Sequence, residues 1–122
     1  MDIKTAVTLF DALSQETRLS VFRLLVEAGP SGLAAGKLSE QLKIPHNTLS
    51  FHLSHLTRTG MVKVRKEGRS MIYSTHFDTM RNLIGFLVQD CCRSDLVSLR
   101  EDKDSGCQVI ELAGCCGLPD NT

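Results

Sequence analysis

The chain has no tryptophan and a single tyrosine among its six aromatic residues. Its 122 residues suffice for one domain and a tail, with a core built from Leu, Val and Ile, a composition that favours helices. Cysteine is absent from the first 90 residues, and all five stand at or after position 91. A disulfide framework spreads its cysteines through the fold, so this clustering points instead to metal-binding or redox chemistry in one segment. No apolar run approaches the roughly 18 residues needed to cross a bilayer, and even Val21 to Val26 is interrupted by Arg23. Met1-Asp2-Ile3-Lys4 lacks the basic and apolar regions of a secretory signal, so the expected compartment is the cytoplasm, with no membrane partner. Excess charge is missing too, since 14 Lys and Arg balance 14 Asp and Glu. The distribution is uneven, however. Residues 46–70 hold Arg58, Lys63, Arg65, Lys66 and Arg69 against Glu67, a local +4, whereas residues 90–122 carry −4. A basic patch within a neutral chain is enough for phosphate contacts.

Periodicity predicts four helices, a hairpin, a fifth helix and a polar tail. The first helix is expected over Ala6 to Leu13. A second, capped by Ser14 with Glu16 in its first turn, offers Leu13, Phe22, Leu25 and Val26 to the core and stops at Gly29-Pro30. Ala34 to Lys43, with Leu38 and Leu42 four apart, is closed by Ile44-Pro45, because proline disfavours helix in the residue before it. Asn47 then caps a helix whose Leu49, Leu53 and Leu56 form an apolar stripe and which stops near Gly60. Met61 to Lys66 and Met71 to His76 flank Glu67-Gly68-Arg69-Ser70 as a hairpin. Phe77 to Cys92 carries Met80, Leu83, Ile84, Leu87 and Val88 at helical spacing, and from Arg93 the chain is polar. The expected domains are therefore 1–92, a folded unit of helices and a hairpin, and 93–122, a polar tail containing cysteines.

Two short helices joined by a tight turn and followed by a basic hairpin make the order of a winged helix-turn-helix, α1-α2-α3-α4-β-β-α5, mainly α. With Leu49, Leu53 and Leu56 inward, a rotation of about 100° per residue puts Asn47, Phe51, His55 and Arg58 on the opposite face, with Thr48 and Ser54 at its flanks. Asn suits adenine, Arg58 suits guanine or phosphate, and Phe51 suits a thymine methyl. Arg65, Lys66 and Arg69 lie on the hairpin, where the DNA backbone or minor groove would be. The expected DNA-binding set is Asn47, Thr48, Ser50, Phe51, His52, His55, Arg58, Arg65, Lys66 and Arg69. His46, His52, His55 and His76 lack the spacing of a compact metal-ligand set.

Several stretches in order resemble the ArsR/SmtB family over roughly residues 5 to 92. They are Leu13-Ser14-Gln15-Glu16-Thr17-Arg18-Leu19 through Leu24-Leu25, Asn47-Thr48-Leu49-Ser50-Phe51-His52-Leu53-Ser54-His55-Leu56, Gly60-Met61-Val62, and Arg65-Lys66-Glu67-Gly68-Arg69-Ser70-Met71-Ile72-Tyr73. The resemblance implies a homodimeric winged-helix repressor that pairs through its first and last helices and leaves its operator when a metal ion or metalloid binds. It also implies double-stranded operator DNA with an inverted repeat, arsenic-resistance genes as the usual setting, and no enzymatic activity or catalytic cofactor.

Family members place effector sites differently. Leu38-Ser39-Glu40-Gln41-Leu42 offers no thiolate, which removes the site built at the start of the DNA-reading unit. Asp78 has no histidine further down its helix to complete the zinc site of some relatives. Cys91-Cys92, Cys107 and Cys115-Cys116 remain. Soft thiolates select soft ions, and an adjacent pair plus one more Cys suits three-coordinate As(III). This resembles the ArsR branch whose arsenite site lies at the end of the last helix. The expected ligands are Cys91, Cys92 and Cys107, with Cys115 or Cys116 as alternative third ligands. As(III) is the expected effector, with Sb(III) possible by similar chemistry. A redox switch through disulfide formation, or a Zn(II) or Cd(II) response with a fourth thiolate, stays open beside it.

Overall fold

Short-range capping decides where each helix begins. The computed structural model describes residues 1–89. Asp2 opens α1 (Ile3–Leu13) by accepting the Thr5 N–H on Oδ1 at 2.8 Å. Hydrogen bonding from Thr5 holds the Asp2 carboxyl below its ordinary value, which keeps the cap charged. α2 (Glu16–Ala28) is capped by Gln15, whose Oε1 accepts the Arg18 N–H at 2.9 Å. Ser14, expected in that role, instead closes α1 by donating its hydroxyl to the Asp11 carbonyl at 2.8 Å. The sequence places Ser14 and Gln15 side by side, and the tight turn between the helices assigns one to each.

Gly29 ends α2 with φ 73°, as Gly29-Pro30 predicts, and a 3-10 turn (Gly29–Ser31) leads to β1 (Leu33–Ala34). This two-residue strand was too short to be read as a period. α3 (Ala35–Leu42) follows at once and ends at Lys43, which adopts the left-handed conformation at φ 55°. Ser39 fastens the turn after it. Its Oγ donates to the Ile44 carbonyl at 2.6 Å, and the Ile44 N–H donates to the Ser39 carbonyl at 3.2 Å. α4 (His46–Thr59) starts one residue before the expected Asn47 cap, because the extended backbone of Pro45 already serves as the N-cap. Asn47 Oδ1 accepts the Thr48 N–H at 3.0 Å from inside the helix.

Gly60, at φ 91°, closes α4 and feeds β2 (Val62–Glu67), which pairs antiparallel with β3 (Ser70–Thr75). Glu67 faces Ser70, so Gly68-Arg69 is a two-residue turn, with Gly68 at φ 61°. β1 adds to the other edge of β3, giving the order β1-β3-β2. Gly32 makes that edge possible. Its φ is 71°, and a Cβ there would collide with the Tyr73 carbonyl oxygen.

Residues 2–80 form one unit around Leu9, Leu25, Leu38, Leu49, Leu53, Leu56, Met61 and Val62, all nearly inaccessible to water. Phe22 joins them, whereas Leu13 and Val26 are only half-buried. α5 (Phe77–Val88) begins within this unit, and from Arg81 it belongs to a second one. Its expected extension to Cys92, the tail over 93–122 and all five cysteines lie outside the described residues. The architecture is a mainly α winged helix-turn-helix with a small three-stranded sheet.

Candidate nucleic-acid interface

α4 divides cleanly between core and solvent. Leu49, Leu53 and Leu56 are 0–1% exposed, while Asn47, Thr48, Ser50, Phe51, Ser54 and Arg58 are exposed. Phe51, 66% exposed, is the one outward apolar side chain of α4, whose other outward residues are polar or basic. Beyond α4, Lys63, Lys66 and Arg69 are exposed on the hairpin, or wing. Lys63 was not among the expected contact residues; on β2 it alternates with Val62 and Val64 and shares its face of the strand with Arg65.

Three expected contact residues take other places. His52 is turned inward, 9% exposed. It stands three residues after Leu49 and four before Leu56, which is the same side of a helix. Burial first, then the charges of Arg18 and His55, lower its pKa, so the ring is neutral near pH 7. Its Nδ1 is buried with no hydrogen-bond partner among the described residues. His52 therefore backs the face instead of forming it, its ring edge-on to Phe51 with centroids 5.6 Å apart and planes at 69°.

His55 is half-buried and faces α1, its Nε2 3.9 Å from Asp11 Oδ2. Arg18 meets the same helix end, donating from Nε to the Ala12 carbonyl at 2.7 Å and from Nη2 to the Asp11 carbonyl at 3.3 Å. These contacts attach α1, α2 and α4 to one another. The Arg18 guanidinium at the C-terminus of α1 also complements the helix dipole.

Arg65 is bound into the protein. Its Nη1 and Nη2 donate to the Pro30 and Ser31 carbonyls at 3.3 and 2.7 Å, and Nε donates to Glu67 Oε2 at 2.7 Å. The wing is thereby fastened to the 3-10 turn after α2. Partners so distant in sequence leave no local signal.

Away from α4, Ile3, Val7 and Phe10 of α1 are 66%, 59% and 41% exposed. Their spacing of four and three makes a continuous apolar stripe. No group of three or more His, Cys, Asp and Glu among the described residues is placed to hold a metal. Among these residues no helix is long and apolar enough to cross a membrane.

A helix-turn-helix domain model matches residues 13–65. The chain is 37% identical over 79 residues to an HTH-type transcriptional regulator of Methanocaldococcus jannaschii, covering 65% of this chain and 86% of that protein. It is 31% identical over 90 residues to the transcriptional activator HlyU of Vibrio cholerae, covering 74% of this chain and 81% of HlyU. The solved structure of HlyU superposes with a TM-score of 0.60 at 31% identity, over 75% of this chain and 99% of that one. A Halobacterium salinarum protein named as the arsenical resistance operon repressor ArsR is 35% identical over 79 residues, covering 65% of this chain and 58% of its own.

Proposed function

The chain belongs to the ArsR/SmtB-like family of helix-turn-helix transcriptional regulators, and from that membership we propose that it is a homodimeric repressor released from operator DNA by As(III). The observation that carries the DNA half is the outward face of α4, where Asn47, Thr48, Phe51, Ser54 and Arg58 stand clear of the protein beside an exposed basic wing. A helix presented this way suits the major groove, and two copies suit an inverted repeat. The exposed Ile3, Val7 and Phe10 stripe supports pairing through α1, since an apolar helix face is stable when another covers it.

The effector half rests on the donor set. Cys91, Cys92 and Cys107 provide three soft thiolates, with Cys115 and Cys116 in reserve, and three is the number As(III) takes. Arsenous acid condenses with three thiols, each S–H proton leaving with one hydroxyl as water. Sb(III) fits the same three donors. The vicinal pair begins three residues after Val88, the last residue of α5, so chelation would reorganise the chain next to a helix used for pairing and alter the spacing of the two α4 helices. The relative named as a repressor of an arsenical resistance operon supports this choice; the likeness to HlyU, named an activator, supports only the DNA-binding part.

Fluorescence anisotropy of the reduced protein on a duplex selected from a random pool, titrated with arsenite, tests the proposal. Release from the wild type and retention by Cys91→Ser and Cys107→Ser is the expected result. Release by oxidant but not arsenite would replace the metalloid by a disulfide switch. Release by Zn(II) or Cd(II) alone would call for a fourth thiolate.

A further inference from the structure

Phe51 is the feature of the α4 surface that phosphate binding does not explain. An aromatic side chain 66% exposed on a soluble helix loses favourable burial, and a lysine or serine there would serve the backbone of DNA better. Its neighbours one turn away on either side are Asn47, Thr48 and Ser54, all exposed, and the half-buried His55, with Arg58 one turn further on from Ser54. The ring is thus an apolar centre within a ring of hydrogen-bonding groups. Behind it stands His52, inward-facing and edge-on to it. An apolar tip surrounded by donors matches one feature of the major groove, the C5-methyl of thymine, which is its only protruding hydrocarbon group.

We infer that Phe51 is a specificity-determining residue that packs on one thymine methyl in each half-site. The inference rests on the DNA-binding reading above and adds to it the class of base that the centre of α4 selects. The other polar residues of the face position the helix or bond base edges, and Phe51 requires a T at one fixed position of each half-site. The contact is apolar, so it is insensitive to salt, unlike the contacts of Lys66 and Arg69.

The test uses a duplex recovered from a random pool by the full-length wild type. Each thymine is replaced in turn by deoxyuridine, which keeps Watson–Crick pairing and removes only the methyl. At one position per half-site the wild type should lose about fourfold in affinity, the worth of one buried methyl group. Phe51→Ala should bind the thymine and deoxyuridine duplexes equally at that position. Phe51→Leu, which keeps an apolar tip, should recover part of the difference. Equal responses of wild type and Phe51→Ala at every thymine would overturn the inference while leaving the DNA-binding reading intact. Failure of the wild type to retain any duplex would overturn that reading, and the inference with it.

Discussion

Arg65 and Lys66 are adjacent on β2, yet their surroundings assign them different work. Arg65 is held by two backbone carbonyls and Glu67, whereas Lys66 extends into solvent with Arg69 nearby in the chain. Each phosphate neutralised contributes about 0.9 to the slope of log affinity against log salt. Lys66→Ala and Arg69→Ala should each lower that slope by about one. Arg65→Ala should weaken binding with the slope unchanged, since it loosens the wing without removing a phosphate contact. Anisotropy across a salt series distinguishes the two. A second residue-scale consequence concerns His52. Burial lowers its pKa from the ordinary 6.5, so between the lowered folded value and 6.5 the unfolded chain binds a proton that the folded one does not. Stability is therefore full above 6.5 and falls as pH drops below it. Urea midpoints at about pH 7.5 and about pH 5.5 should show this loss in the wild type and a smaller one in His52→Leu. The His55–Asp11 pair is common to both proteins and does not produce that difference.

At the scale of elements, glycine conformations separate two tight places. Gly68 is at φ 61° in the wing turn with open space around it, so Gly68→Ala should cost about 1 kcal/mol from backbone strain alone. Gly32→Ala adds a collision with the Tyr73 carbonyl oxygen to the same kind of strain and should cost more, roughly 3 kcal/mol, and release β1 from the sheet. Denaturant midpoints give the comparison. Long elements were legible because each carries a period and a stop. The leucines of α4 lie inward as their spacing predicts, and Gly29 and Gly60 mark the ends that the sequence suggests. Helix starts were less legible, since Ser14 or Gln15, and Pro45 or Asn47, are neighbouring choices that local geometry decides. The roles of His52, His55 and Arg65 depend on Arg18, Asp11, Pro30 and Ser31, which are brought to them by the fold.

For the whole molecule, a single copy leaves Ile3, Val7 and Phe10 in water. Pairing through that stripe predicts that Val7→Glu converts a dimer to a monomer in sedimentation analysis while leaving the core intact, because Val7 is 59% exposed. A monomer reaches one half-site at a time, so the same variant should bind a two-half-site duplex far more weakly than the wild type.

In the proposed complex DNA meets the outward face of α4 and the wing. The most direct measurement compares the affinity of one selected duplex for the wild type, Arg58→Ala and Arg23→Ala. Arg23 is exposed on α2 beside Glu27, a basic residue of equal charge off the α4 face. Arg58→Ala is predicted to cost about 1–3 kcal/mol of binding free energy, and Arg23→Ala close to nothing. Equal losses from the two, or a larger loss from Arg23→Ala, would place the DNA away from the outward face of α4.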